Sequence, residues 1–152
     1  MIRFVLLLAV TATCAYGACL ESWTEFNGYC FSFQKEPTVW SAAVAYCHSI
    51  GSRLVEIDSA EKDNWLGELL NASRSGSIFA GLNRRSSPEW VWDPSKRTAD
   101  KYSNWNVGEP NTELSFECLA AHYGVARKWT AVSCSAPRPY FCEKKSDKDS
   151  VN

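Results

Sequence analysis

Trp105-Asn106-Val107-Gly108-Glu109-Pro110-Asn111 sets a carboxylate and an amide on either side of a proline, directly after a Trp and a Gly. Two side-chain oxygens fixed in one direction suit a hard cation, or a polyol held on that cation. The same residues also read as a proline-anchored surface turn, because Asn-Val-Gly and Glu-Pro-Asn are ordinary loop chemistry. Glu117-Cys118, Trp129 and Cys134 follow downstream. The choice between the two readings rests on the chain around them.

The 152 residues suit one domain with a core of useful size. The first residues are of another kind. Met1-Ile2-Arg3 is a short basic start, Phe4 to Thr13 is mostly apolar, and Ala15 and Gly17 place small residues where signal peptidase reads. Residues 1–17 are therefore expected to be a secretory leader cleaved after Gly17, followed by a domain over 18–143 and a charged flexible tail over 144–152. The apolar run is too short to span a bilayer and no later run is long enough, so the expected location is extracellular, with no membrane span.

Cysteine usage agrees with export. Of seven Cys, Cys14 falls in the leader, and Cys19, Cys30, Cys47, Cys118, Cys134 and Cys142 remain. Six in an exported domain read as three disulfides, although spacing alone leaves all fifteen connectivities open. A zinc site lacks any CxxC pair, and paired cysteines leave no nucleophilic thiol. Losing Arg3 leaves 15 basic against 17 acidic residues, a net of −2, with none of the basic face that nucleic acid demands. All seven Trp lie beyond the leader and mark aromatic core positions or an aromatic binding surface.

In order, the chain reads as follows. Trp23 and Phe26 lead into the turn Asn27-Gly28, and Tyr29 to Phe33 alternates as the second strand of a hairpin. Gln34 to Thr38 reads as a polar loop containing Pro37. Trp40, Ala43, Val44, Cys47 and Ile50 recur at helical spacing, with Thr38 as the expected cap and Gly51 as the stop. Arg53 to Ile57 alternates as a strand. Asp58-Ser59-Ala60-Glu61 resembles a capping box with Asp58 in the Ser/Thr position, opening a helix through Trp65, Leu66, Leu69 and Leu70. Asn71-Ala72-Ser73, at its end, is an N-glycosylation sequon. Ile78–Leu82, Trp90–Trp92, Glu117–His122, Lys128–Val132 and Tyr140–Glu143 read as short strands, with loop signals filling 93–127. Helices early, strands around them and a long late loop make an α+β domain with its function in the loop.

These residues resemble the C-type lectin domain over 19–143. The resemblance rests on Tyr29-Cys30-Phe31, the helix from Trp40 to Cys47, Leu54-Val55, Phe79-Ala80-Gly81-Leu82, Trp90-Val91-Trp92, the Trp105–Asn111 stretch, Cys118, Trp129, Cys134 and Tyr140-Phe141-Cys142-Glu143. It implies the pairs Cys19–Cys30, Cys47–Cys142 and Cys118–Cys134, the first typical of the longer form of the domain. The chain is also similar to small secreted single-domain invertebrate lectins of the perlucin-like type found in mollusc shell matrix. In that family Glu109-Pro110-Asn111 looks like the mannose-type sugar sequence. Pro110 would be cis, and Glu109 and Asn111 would share one calcium with vicinal hydroxyls of mannose, glucose, fucose or N-acetylglucosamine.

Three departures from the family pattern follow. An Asn-Asp pair is expected directly after Trp129, and Thr130-Ala131 stands there. An acidic residue is expected two before Cys118, and Phe116 stands there, with Glu117 beside it as a substitute ligand. Second-calcium positions fall on Arg84, Ser87 and Thr112. Calcium takes six to eight oxygens, several of them carboxylate, so Glu109, Asn111 and Glu117 alone imply weak affinity. His48 and His122 show no metal spacing, Arg84-Arg85 reads as a solvated spot, Trp90, Trp92, Trp105 and Trp129 read as core, and no hydrolase motif is present. The expected function is non-enzymatic recognition of mannose-, N-acetylglucosamine- or fucose-type glycans, with Trp129, Thr130 and Pro110 shaping the site. The alternative is a calcium-independent domain binding extracellular protein or matrix.

Overall fold

The computed structural model describes residues 19–147; the expected leader and residues 148–152 of the expected tail lie outside them. Thr24–Phe26 (β1) and Tyr29–Thr38 (β2) form the N-terminal hairpin. Its turn residues Asn27 and Gly28 both take positive φ, 46° and 75°, the geometry a two-residue connection between twisted strands requires. Trp40–Ser49 (α1), Arg53–Leu54 (β3) and Ala60–Ala72 (α2) follow. The second half supplies Ile78–Asn83 (β4), Val91–Trp92 (β5), Cys118–Tyr123 (β6), Lys128–Val132 (β7) and Arg138–Lys145 (β8). The main sheet order is β1-β2-β8-β4-β6-β7, with β3 added to β8 and β5 to β4.

β4 explains why one sheet serves two cores. All six of its residues are buried, and alternate side chains of a strand face opposite ways. Ile78, Ala80 and Leu82 pack with Leu66 and Leu70 of α2, Trp92, Trp129 and Phe141. Phe79 faces the other side, with Trp40, Ala43 and Cys47 of α1, Ala120, Val132 and Tyr140. Disulfides reinforce the layers: Cys47–Cys142 joins α1 to β8, Cys118–Cys134 joins β6 to the chain after β7, and Cys19–Cys30 ties the start to β2.

Several local expectations shift. Gln34–Thr38 is strand rather than loop, with its register to β8 broken between Gln34 and Thr38, where Pro37 has no N–H to give. Thr38 ends β2 and caps nothing. Val39 occupies the N-cap position of α1 without a side-chain cap bond, and Trp40 N–H instead donates to the Cys134 carbonyl at 2.9 Å. The α2 cap sits one residue later than the capping-box pattern implied, with Ser59 Oγ accepting from Lys62 N–H at 3.1 Å. Asp58 pairs with Lys62 Nζ at 2.8 Å instead. β3 is assigned only to Leu54: Val55 N–H still donates to the Phe141 carbonyl of β8, while the Val55 carbonyl crosses to accept from Gly81 N–H of β4. Lys144 and Lys145 belong to β8 rather than to the tail.

Replacing Cys47 and Cys142 together by Ala frees a 95-residue separation and should cost about 2–5 kcal/mol in urea unfolding. Gly81 is also constrained, since a Cβ there would meet the Asp93 carbonyl oxygen at 3.0 Å and that of Leu54 at 3.3 Å. Backbone atoms yield little, so Gly81→Ala should lower stability by about 1–3 kcal/mol, read by the same titration.

Candidate functional site

The long connection between β5 and β6 is hung on the outer edge of β7. Trp129 N–H donates to the Asn104 carbonyl at 2.8 Å, and Asn106 N–H donates to the Trp129 carbonyl at 2.9 Å. Two residues on, Ala131 N–H points the same way, as strand alternation requires. No backbone carbonyl receives it; it donates to the Glu109 carboxylate at 3.0 Å. Glu109 Oε2 also accepts from Asn111 N–H at 2.9 Å, and the Glu109-Pro110 peptide is cis. The Asp93-Pro94 peptide, which nothing in the sequence singled out, is cis as well.

Desolvation would raise the Glu109 pKa, but the N–H groups of Ala131 and Asn111, with the side chains of Asn111 and Thr130, outweigh it and hold the carboxyl below its usual value. The adjoining open cleft, about 390 Å³, is lined by Glu109, Asn111, Phe116, Thr130, Ser133 and Arg138 among others. Thr130 thus joins Glu109 and Asn111, while Trp129 lies beneath, fully buried and edge-on to Trp92, Tyr102 and Trp105. Glu117 does not line this cleft; Phe116 takes the wall, and the Glu117 carbonyl accepts from Arg84 N–H at 2.9 Å.

These residues do not fit a calcium ion. Glu109 is the one carboxylate of the cleft, its Oε2 takes two backbone N–H bonds, and Asn111 Oδ1 accepts from Glu113 N–H at 3.0 Å. Among the described residues, no three of His, Cys, Asp and Glu gather in a way that would hold a metal. At Arg84, one of the positions where the family pattern would put a second calcium and this sequence does not, the guanidinium donates to the Phe116 and Glu113 carbonyls and lies over Trp90.

Sequence reading missed the group that fixes the base of this loop. Asp63 is 1 % exposed on α2, and its Oδ2 accepts from Tyr102 Oη and Asn104 Nδ2, each at 2.8 Å. Its Oδ1 lies 2.9 Å from His122 Nε2. His122 reaches it from an irregular step in β6, where its φ is 56°. Desolvation opposes ionisation of Asp63, but His122, Tyr102 and Asn104 hold its carboxyl below the usual value. In turn, burial and the Asp63 charge push the Tyr102 hydroxyl up. The available signal was positional: Asp63 stands three and seven residues before the buried Leu66 and Leu70, so it lies on the apolar stripe. His48, in contrast, is a surface residue 3.7 Å from Asp93.

Residues 36–144 match the family model described as the lectin C-type domain. A hepatic lectin of Gallus gallus is 31% identical over 129 residues, covering 84% of this chain and 60% of that protein, so this chain spans under two thirds of that relative. C-type lectin BML-2 of Bungarus multicinctus is 32% identical over 137 residues, covering 84% of each. A perlucin-like protein of Mytilus galloprovincialis is 24% identical, covering 82% of this chain and 81% of that one. Among solved structures, a calcium-independent type II antifreeze protein aligns with TM-score 0.75 and 25% identity, covering 84% of this chain and 95% of its own. The cow CD23 carbohydrate-recognition domain, solved in the presence of a GlcNAc2Man3 oligosaccharide, aligns with TM-score 0.73 and 27% identity, covering 84% and 96%.

Removing the Asp63 side chain leaves buried His122 and half-buried Tyr102 and Asn104 without their shared acceptor. Asp63→Ala should therefore cost about 1–3 kcal/mol in denaturant unfolding. Acid gives an independent check. Asp63 and Glu109 both have depressed folded pKa values, so their stabilisation is complete above the unfolded carboxylate range of about 4 and is lost as pH falls through the folded values. Protease cleavage within 100–117 should accelerate below about pH 4, and less steeply in Glu109→Gln.

Proposed function

The chain belongs to the C-type lectin domain family, a family of non-enzymatic carbohydrate-binding proteins, and on that premise we propose a secreted carbohydrate-recognition domain that binds mannose-type glycans with little help from calcium. The observation that carries this reading is the Glu109-cis-Pro110-Asn111 turn fastened to β7 through Ala131 N–H. It presents a depressed-pKa carboxylate, an amide and the Thr130 hydroxyl at the mouth of one open cleft. Fixed polar groups of this kind match vicinal sugar hydroxyls, and hydrogen bonds to an ionised acceptor are about twice as strong as neutral ones. The missing acidic partners and the calcium-independent solved neighbour support weak or dispensable calcium. No helix among the described residues is long and apolar enough to cross a membrane. The expected leader over 1–17 completes the reading of an exported protein.

A second reading, adhesion to extracellular protein or matrix without sugar, is favoured by one observation. Val107 and Leu114, on either side of the turn, are 98% and 85% exposed, and exposed apolar residues beside a cleft suit a protein surface.

Chromatography on mannose- and N-acetylglucosamine-agarose separates the readings. Retention should persist in chelator within a few-fold of its value in millimolar calcium, and Glu109→Gln should weaken it by about tenfold, near 1.4 kcal/mol. Release by chelator alone would overturn calcium independence. Absence of retention in both buffers, with Glu109→Gln folded normally, would transfer the function to the adhesion reading.

A further inference from the structure

A second polar cleft, about 460 Å³, opens between α2 and the turn joining β6 to β7, walled by Asp63, Glu68, Asn71, Asn104, Arg127 and Lys128. Its volume falls in the range of small-ligand clefts, about 300–1,000 Å³. Its wall is more polar than apolar and offers both donors and acceptors, which suits a polyol. Asn71 stands exposed on the last turn of α2 and begins the sequon Asn71-Ala72-Ser73. The Asn71 amide is oriented: Arg127 Nη2 lies 2.6 Å from Oδ1. A guanidinium can only donate, so the contacting atom must be the oxygen. The nitrogen, the atom that an N-glycan uses, is left out of that bond, and the same hydrogen bond survives modification. On the adjoining turn Val125 is fully exposed, apolar surface that a neighbouring oligosaccharide would shield.

We propose that Asn71 carries an N-linked glycan whose first sugars lie along this cleft, with Arg127 holding the linkage. This rests on the reading that the chain is exported. During export a glycosyltransferase replaces one N–H bond of Asn71 Nδ2 with a bond to the anomeric carbon of an oligosaccharide. The donor is a polyprenyl-diphosphate oligosaccharide; its diphosphate leaves with the electron pair of the broken C–O bond, and the amide proton goes to base. Lys128 begins β7, whereas the candidate sugar cleft is lined by Thr130 to Ser133 at its far end. With about 3.3 Å per residue along a strand, the two clefts meet β7 about 7 Å apart, on neighbouring stretches of one strand.

The test uses the full chain, leader included, expressed in mammalian cells and collected from the medium. The intact mass should exceed the polypeptide by an increment that N-glycosidase removes, absent from Asn71→Gln and from Ser73→Ala. Amide exchange over 124–128 should be several-fold slower with the glycan than after trimming, and Arg127→Ala should keep the glycan but lose that slowing. Secreted protein of unmodified mass would overturn the glycan while leaving export and sugar binding untouched. A glycan with unchanged exchange would overturn its placement in the cleft. Failure to reach the medium would overturn the export reading and the proposal together.

Discussion

The free edge of β7 governs how this molecule is built. β7 ends the sheet order, and an uncovered edge strand is a row of unpaired donors and acceptors. The chain between β5 and β6 has little regular structure of its own, so its backbone groups also need partners. Each supplies the other. The Trp129 N–H and carbonyl take Asn104 and Asn106, and Ala131 N–H takes the Glu109 carboxylate. Glu109 thus behaves as one more rung of the ladder, made from a side chain. The geometry of the candidate site is a consequence of closing the sheet, and Glu109 has a structural duty besides any toward a ligand.

Beneath the hairpin a second set of charges is buried. Glu143 is fully buried, with Arg53 Nη2 at 2.9 Å, Lys62 Nζ at 3.4 Å and Glu56 N–H at 3.1 Å. Burial pushes its carboxyl up against the pull of Lys62 and Arg53. Fully buried Glu56 adds Arg53 at 3.2 Å and Arg97. Ion pairs of this kind gain little net energy over apolar packing, but they penalise any arrangement that separates the partners. Here they fix α2, β3, β8 and the start of the long loop in one relative position. Lys62 and Asp63, adjacent on α2, serve the two halves: Lys62 holds Glu143, and Asp63 holds the loop base.

Much of the fold was legible because burial leaves a period in the sequence. The α1 spacing of Trp40, Ala43 and Cys47, the α2 spacing of Leu66 and Leu70, the Asn27-Gly28 turn and the apolar run from Ile78 to Leu82 each required one kind of element. Ends were less legible. A cap is one hydrogen bond among several available, and the cap of α1 is supplied by a carbonyl near Cys134, far away in sequence. The site divided the same way. Glu109, Asn111 and Thr130 were readable as side chains, but the donor that positions Glu109 is the backbone N–H of Ala131, which any residue except proline offers. Phe116 in place of Glu117 was equally out of reach, since it depends on how a loop without periodicity settles against β7.

The Arg84 guanidinium has a wider meaning. It binds the carbonyls of Glu113 and Phe116, so a cation fixed to the backbone at the end of β4 holds that part of the long loop. A cation attached through its own side chain has no dissociation constant, exchanges with no solution pool and is removed by no sequestering agent. Its cost is met once, when the chain folds, instead of at every encounter with a changing medium. This one anchor of the loop therefore asks nothing of the mineral content of the surrounding fluid.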